Sequence, residues 1–283
     1  MTPSPPLPPA LLRQFDYLRH PVMETSLART ADGGPTRAGV AIAEVRLRAP
    51  GQDPIDAYLV TPASAGRHPA VLWLHWEGEA HADHSHFLAE AVDLAADLGW
   101  VSVLPRMVFP FVRRPIGDGR DRDAVITQVI QLRRVLDHLA ARNDVDSSRI
   151  GLVGHDYGGM YGAMLAAIDP ARISGSVLVA IDATWGNWFV TYFLRLPEEE
   201  IVPFTASFDT LQPTAFLPHL PRGGLMFQFA DDDAYVGDDA VTAVVGGGPG
   251  TPAVRHYPTD HGMDHAVARS DRREFLAKRL AQP

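Results

Sequence analysis

Residues 154–159 read GHDYGG and lie between the apolar run RIGLV and a stretch rich in small residues. This is the pattern of a nucleophile elbow, G-x-S-x-G, in which a strand turns sharply into a helix and holds one side chain above the turn. The central position carries Asp156, where the pattern has serine. We therefore predict a strand, a strained turn and a helix here, and ask what an aspartate does at the turn.

The composition is typical of a globular protein with one large core. The 283 residues are 46% hydrophobic and 21% charged, and no compositional break separates two blocks. We interpret residues 1–35 as a proline-rich N-terminal arm and residues 36–283 as a single domain. The prolines exclude a continuous signal helix in the arm, and no run approaches the roughly 18 apolar residues of a membrane span. We expect a soluble, cytoplasmic protein.

Charge and cysteine content narrow the function further. The net charge of −9 comes from interspersed acids and bases without a basic stripe, which argues against a nucleic-acid partner. The chain has no cysteine, so a thiolate nucleophile, a disulfide framework and a cysteine-bound zinc are excluded. We expect a small-molecule substrate, no cofactor and no membrane partner, and the sequence is compatible with a homodimer.

After two opening strands, short β-rich runs alternate with helical patterns, which is typical of a mostly parallel sheet covered by helices on both faces. The opening strands, 40–47 and 55–60, are predicted to form an antiparallel pair. Residues 123–142 carry apolar side chains at helical spacing and are predicted to form a long amphipathic helix. The other predicted strands are 69–75, 100–104, 149–153, 173–181, 224–230 and 253–257, and the other predicted helices are 86–98 and 267–280.

Three candidate catalytic residues follow predicted strands in the order nucleophile, acid, histidine. Asp156 follows the run RIGLV, an acid follows the strand in FQFADDDAYV, and His261 follows the strand in HYPTDHGMDH. Loops at the carboxyl ends of parallel strands lie at one edge of the sheet, so these residues can meet there. The candidate acids are Asp231, Asp232 and Asp233, and His265 competes with His261.

With these motifs the chain resembles the α/β-hydrolase superfamily from about residue 40 to residue 280, and within it the dienelactone-hydrolase-like group. The pieces that carry the resemblance are VLWLHWEG, DVDSSRIGLVGHDYGG, FQFADDDAYV and YPTDHGMD. The resemblance implies an α/β-hydrolase fold with a mostly parallel eight-stranded sheet, helices on both faces and a short lid segment, residues 183–222, after strand 6.

The resemblance also implies roles for particular residues. It makes Asp233 the acid, because DAYV is similar to the D-x-x-V pattern of the family, and leaves Asp231 and Asp232 solvated or structural. It implies an oxyanion hole made of backbone N–H groups, one from Tyr157 and one from Trp76 or Glu77. Glu77 can alternatively face the pocket.

Asp156 departs from the dienelactone hydrolases, which have cysteine at this position, and from their esterase relatives, which have serine. The aspartate resembles the elbows of haloalkane dehalogenases and epoxide hydrolases. A carboxylate with an ordinary pKa near about 4 is ionised at neutral pH and attacks an sp³ carbon without the help of a base. We therefore predict a hydrolase with an Asp-His-Asp set and a covalent aspartyl-ester intermediate, acting on a halide, epoxide, lactone or activated ester.

Two alternatives stay open for Asp156. If the elbow has decayed, the aspartate caps the following helix and the protein is a catalytically silent binding protein. If Asp156 acts as a general base, the protein is an esterase or lactonase. Direct attack of a carboxylate on a carboxylic ester would give a mixed anhydride, a high-energy intermediate, so ordinary esterase chemistry through a nucleophilic Asp156 is disfavoured.

Further candidates for substrate contacts lie in the lid segment and after the fourth strand. Trp185 and Trp188 either line the pocket or pack the lid onto the body of the domain. Arg106 and Arg113 either bind a substrate carboxylate or are solvated.

The stretch HADHSH brings three histidines close together, but it straddles a loop and a helix start, whereas a metal site normally presents its ligands on a rigid element. We therefore interpret it as a polar turn with one histidine at the pocket rim; the three are His81, His84 and His86.

Overall fold

The computed structural model describes residues 4–29, 37–76 and 84–281. In these ranges, short runs of apolar and β-branched residues form strands, because such side chains pack well on a pleated surface. The strands are β1 (Met23–Arg29), β2 (Val40–Arg48), β3 (Ile55–Pro62), β4 (His68–Leu74), β5 (Val101–Pro105), β6 (Val145–His155), β7 (Gly175–Val179), β8 (Leu225–Ala230) and β9 (Ala253–Tyr257).

Helices connect the strands from β4 onwards, and their ends carry local signals. The Asp118 carboxylate accepts a hydrogen bond from the N–H of Arg120 and so caps α3. Gly99, the residue directly after α2, ends that helix with a φ of 68°. The helices are α1 (Pro9–Leu12), α2 (Leu88–Leu98), α3 (Gly119–Ala141), α4 (Tyr157–Ile168), α5 (Trp185–Tyr192), α6 (Glu198–Ala206), α7 (Pro213–Phe216), α8 (Asp238–Gly247) and α9 (Ala266–Leu280).

All these strands belong to one sheet with the order β1-β2-β3-β5-β4-β6-β7-β8-β9. β1, β2, β3 and β5 pair antiparallel in turn, whereas β5, β4, β6, β7, β8 and β9 are parallel neighbours. The predicted mostly parallel sheet and the predicted antiparallel pair at its start are confirmed. The carboxyl ends of β4, β6, β8 and β9 therefore lie at the same edge, where the candidate residues follow them.

In the described ranges the sheet has nine strands rather than the expected eight, because residues 23–29, within the predicted N-terminal arm, form β1. This strand pairs antiparallel with β2, and Met23 lies opposite Arg48. β1 is at the sheet edge, Met23 is 62% exposed, and the sequence METSLAR shows no apolar alternation. An edge strand held by backbone pairing leaves little trace in hydrophobic periodicity.

Alternate residues of the central strands contact two apolar layers, one on each face of the sheet. In β4, Leu72 and Leu74 pack in the layer that contains α3 and α4, whereas Val71 and Trp73 pack in the layer that contains α2 and α9. All twelve residues of α4 are buried, which is typical of a helix that is apolar on every side. The turn that begins α4 is therefore rigidly supported.

The segment between β7 and β8 forms α5, α6 and α7, and it is the expected lid segment, which follows β7 once β1 is counted. Part of the N-terminal region packs beside it, because Phe15 is fully buried and its ring lies 6.0 Å from that of Phe216 in α7. None of the helices in the described ranges has the length and apolar character that crossing a membrane requires.

Candidate active site

Asp156 occupies a strained turn between β6 and α4. Its φ is 52° and its ψ is −120°, a region that residues other than glycine rarely adopt. The neighbouring glycines allow very close packing, because a Cβ on Gly158 would lie 2.2 Å from the carbonyl oxygen of Leu74, and a Cβ on Gly154 would lie 2.4 Å from that of Gly158. The predicted strand, strained turn and helix are confirmed, and this close packing places the end of β4 beside the elbow.

The side chain of Asp156 faces His261 and does not cap the helix that follows it. It makes no capping hydrogen bond to α4, a helix that the structure describes in full, so the expectation for a capping aspartate is not met. Asp156 is 2% exposed, and its Oδ2 lies 4.0 Å from Nε2 of His261. This distance is longer than a hydrogen bond and corresponds to a close, buried ion pair.

The second ring nitrogen of His261 is held by Asp233. Nδ1 lies 2.9 Å from both carboxylate oxygens of Asp233, and since a carboxylate only accepts, Nδ1–H is the donor. The backbone N–H groups of Tyr235 and Val236 also donate to Oδ1 of Asp233 at 2.9 Å and fix its orientation. Asp156, His261 and Asp233 therefore form a continuous set, with Nε2 of the imidazole facing Asp156.

The competing residues lie elsewhere. Asp231 and Asp232 are exposed, as expected for solvated groups. Asp260 accepts a hydrogen bond from the N–H of Gly262. The ring of His265 packs 5.6 Å from that of Tyr257. The structure thus brings Asp233 to His261 and directs these other side chains to different contacts.

The two carboxylates change the protonation of His261. Burial by itself lowers the pKa of the imidazole, but Asp156 and Asp233 outweigh burial and raise the pKa of His261 to about 9. Burial raises the pKa of the Asp233 carboxyl, but the hydrogen bond to His261, the charge of His261 and the two backbone N–H donors together outweigh burial and lower that pKa overall. At neutral pH, His261 is an imidazolium between two carboxylates.

Three aromatic rings lie around His261. The rings of Trp76, Trp188 and Tyr235 lie 5.4, 6.3 and 4.9 Å from the ring of His261. The two candidate tryptophans of the lid lie in different surroundings. Trp188 lies beside His261, whereas Trp185 is fully buried with its ring 4.7 Å from that of Tyr161 in α4. Trp185 therefore packs the lid onto the body of the domain.

The described residues include only part of the expected oxyanion hole. Tyr157 is the first residue of α4, and Trp76 follows the end of β4, but Glu77 lies outside the described residues. His75 orients the peptide of Trp76: its Nε2 accepts from the N–H of Met107 at 3.1 Å, so Nδ1 carries the hydrogen and donates to the carbonyl oxygen of Trp76 at 3.0 Å. Sequence reasoning missed His75, although its place at the end of a central strand was a usable signal.

Arg106 and Arg113 are both exposed. The charge of Arg106 acts on Asp56, and that of Arg113 acts on Asp118. Among the described residues, these positions give neither guanidinium a contact with the Asp156 and His261 pair. Binding of a substrate carboxylate by these arginines stays a prediction.

The three histidines of HADHSH do not act as one group. His81 lies outside the described residues, and the ring of His84 stacks on Tyr58 at 4.5 Å. His86 instead accepts a hydrogen bond from the indole of Trp76 at 3.1 Å. In the described part of the chain, no group of three or more His, Cys, Asp or Glu side chains is arranged to hold a metal ion.

Comparisons with known proteins agree with this architecture. Residues 113–219 match the family model of the alpha/beta hydrolase fold, and no curated protein sequence matches the chain. Acetyl xylan esterase 1 from a Thermoanaerobacterium species is similar with a TM-score of 0.72 at 14% identity, over 98% of this chain and 95% of that one.

Two further solved structures are similar at comparable identity. An acetyl xylan esterase from a Paenibacillus species has a TM-score of 0.69 at 17% identity, over 96% of this chain and 92% of that one. The 2,6-dihydroxy-pseudo-oxynicotine hydrolase has a TM-score of 0.64 at 18% identity, over 85% of this chain and 68% of that one. Likeness at such identity establishes the architecture and leaves the reaction to the site. The chain has the α/β-hydrolase fold, with an aspartate at the turn of its nucleophile elbow.

Proposed function

We propose that this protein is a hydrolase of the dienelactone-hydrolase-like group, which acts on a small organic molecule through Asp156, His261 and Asp233. One observation carries the proposal: the carboxylate of Asp156, in a strained turn, lies 4.0 Å from an imidazole whose other nitrogen is held by Asp233 at 2.9 Å. The small lid of three short helices supports the group assignment. Strain at a buried, charged turn is typical of functional sites.

In the proposed first step, an oxygen of Asp156 bonds to an sp³ carbon of the substrate and the bond from that carbon to the leaving group breaks. The product is an alkyl ester of the enzyme. Because His261 carries a hydrogen on both ring nitrogens, Nε2–H can donate a proton to a leaving oxygen as it departs. Asp156 and His261 are 2% and 4% exposed, and this burial keeps most water away from the step.

Ester formation prepares the second step. The ester of Asp156 is neutral, so one of the two charges that raise the pKa of His261 is lost and this pKa falls. The ring gives up its Nε2 proton, to the leaving oxygen or, when the leaving group is a halide, to solvent. The neutral ring can then accept a proton from water at Nε2. The resulting hydroxide adds to the ester carbonyl, and backbone N–H groups of Tyr157 and Trp76 stabilise the oxyanion. The alkoxide then takes the proton from Nε2 of His261 and leaves as the alcohol, with one oxygen of Asp156. The carboxyl group of Asp156 keeps the oxygen of the water and gives its proton to His261, which restores the starting state.

A substrate panel tests the reaction class. The panel contains haloacids, haloalkanes, epoxides, lactones and p-nitrophenyl esters, and each is assayed with wild-type protein and with Asp156→Asn. We expect turnover by the wild type of at least one substrate that reacts at sp³ carbon. Turnover of p-nitrophenyl esters or lactones without reaction at sp³ carbon would support a general-base role of Asp156. Binding without turnover would support the silent alternative.

An isotope experiment tests the covalent step. A single turnover in ¹⁸O-water with enzyme in excess should label Asp156 and leave the first product unlabelled. His261→Gln removes the base of the second step, which slows hydrolysis by roughly two to four orders of magnitude. The ester should then accumulate as a mass increase on the Asp156 peptide. Label in the first product, with no label and no adduct on Asp156, would contradict the nucleophile role.

A further inference from the structure

The side chains of Trp76, His86 and His155 and the backbone carbonyl of His261 form a hydrogen-bonded chain beside the elbow, and the proposed reaction steps use none of its three hydrogen bonds. The indole Nε1 of Trp76 donates to Nδ1 of His86 at 3.1 Å. Nε2 of His86 lies 3.2 Å from Nδ1 of His155, and Nε2 of His155 lies 2.7 Å from the backbone carbonyl oxygen of His261. We call this chain the histidine relay. It joins the end of β4, the residue before Asp156, and the loop that carries His261.

Donor and acceptor chemistry determines the direction of each bond in the relay. A carbonyl oxygen only accepts, so Nε2 of His155 carries a hydrogen and its Nδ1 is an acceptor in the neutral ring. Nε2 of His86 must then donate to that acceptor, and Nδ1 of His86 must accept. This matches the indole of Trp76, which is only a donor. All three bonds therefore run from Trp76 towards His261.

The surroundings keep both rings neutral, as this direction requires. His155 is fully buried, and burial followed by the neighbouring His86 lowers the pKa of His155 well below its ordinary value. Burial followed by the charge of Arg272 lowers the pKa of His86 to about 3. A proton added to Nδ1 of either ring would remove an acceptor and break the relay.

We propose that His86 and His155 are positioning residues that set the distance between Asp156 and His261. His155 precedes Asp156 in the chain, and its side chain bonds to the backbone carbonyl of His261. One hydrogen bond therefore connects the residue next to Asp156 with the backbone of His261. The relay also holds the indole of Trp76, which stacks on His155 at 4.8 Å. The catalytic consequence rests on the proposed function, whereas the relay can be measured without a substrate.

The direct test is a long-range ¹H–¹⁵N NMR spectrum of the wild-type protein at pH 7, which reports the hydrogen-bearing nitrogens of each histidine ring. We expect neutral Nε2–H rings for His86 and His155 and hydrogens on both nitrogens of His261. A hydrogen on Nδ1 of His155 instead of Nε2 would overturn the proposal, because that ring cannot donate to the carbonyl of His261.

Variants test the positioning role. His155→Phe keeps a ring against Trp76 but removes both hydrogen bonds, whereas His155→Gln keeps an N–H donor. In His155→Phe we expect His261 to move away from Asp156. The pKa of His261, measured by NMR titration, should then fall by about one unit, which is the lower end of the effect of one charge at 4–6 Å. His155→Gln should restore most of this loss.

The matched control is His84→Phe, from the same HADHSH stretch, whose ring stacks on Tyr58 outside the relay. It should leave the pKa of His261 at the wild-type value. An unchanged pKa of His261 in folded His155→Phe would overturn the positioning role. If His155→Phe does not fold, the same titration is made with His86→Leu, which removes the relay bonds to Trp76 and His155. A lower pKa of His261 in this variant supports the positioning role, and an unchanged pKa overturns it. A negative result in these tests would contradict the relay but not the proposed function. A substrate panel without turnover would contradict the proposed function but not the relay.

Discussion

The carboxylate of Asp156 is buried, and burial of an unpaired charge would destabilise the fold. The positive charge of His261, 4.0 Å away, compensates the charge of Asp156. We predict that Asp156→Asn lowers the pKa of His261 from about 9, because one of its two carboxylate neighbours is removed. Any turnover found with the substrate panel should fall by at least about 10³-fold, as for removal of a nucleophile. NMR titration and steady-state assays measure the two effects. A variant with wild-type turnover would show that Asp156 does not act in the reaction.

Asp233 holds the other nitrogen of His261 and thereby selects the orientation of the ring. Asp233→Asn should lower the pKa of His261 and reduce turnover by about 10⁴-fold, since an amide can hold the wrong tautomer in place. Asp232→Asn is the matched control, because Asp232 lies one residue away and is exposed. Equal effects of the two substitutions would contradict the role of Asp233.

The elbow as an element depends on packing that leaves no room for a side chain. We predict that Gly158→Ala destabilises the fold by about 1–3 kcal/mol or more, because its Cβ would lie 2.2 Å from the carbonyl oxygen of Leu74. Gly246→Ala is the control, since a Cβ there meets nothing within 4 Å and the residue lies in α8. Urea unfolding measures both. A Gly158→Ala protein as stable as the wild type would show that the end of β4 can move away from the elbow.

At the scale of the whole molecule, the titration of two buried histidines makes the conformational stability depend on pH. The pKa of His261 is raised from 6.5 to about 9 on folding, so its contribution is complete below pH 6.5 and is lost as the pH rises through 9. The pKa of His86 is lowered to about 3, so its contribution is present above pH 6.5 and is lost as the pH falls. The conformational stability of the wild type should therefore decrease on both sides of about pH 6.5.

The variant His261→Gln isolates the basic side of this profile. The free energy of unfolding in urea, measured from pH 5 to pH 10 for wild type and variant, should differ by an amount that shrinks between pH 6.5 and 9, on the order of 3 kcal/mol at most. Parallel profiles would show that folding does not raise the pKa of His261.

Local patterns in the sequence were enough to predict much of the fold. The strand predicted at residues 253–257 is β9 at Ala253–Tyr257, and the helix predicted at 123–142 is α3, which begins earlier at Gly119 because Asp118 caps it. The glycines around Asp156 predicted the turn. Apolar periodicity, caps and glycines are properties of neighbouring residues, so they are visible without the fold.

The sequence by itself determined the alternation of strands and helices, the elbow, and the order of Asp156, Asp233 and His261 along the chain. Only the tertiary structure decided that residues 23–29 join the sheet, that Trp188 reaches the site while Trp185 does not, and that His86 and His155 connect Trp76 to His261. The contact between His155 and His261 joins residues 106 positions apart. Such contacts depend on how strands and loops pack against each other, and that packing has no local signature in the chain.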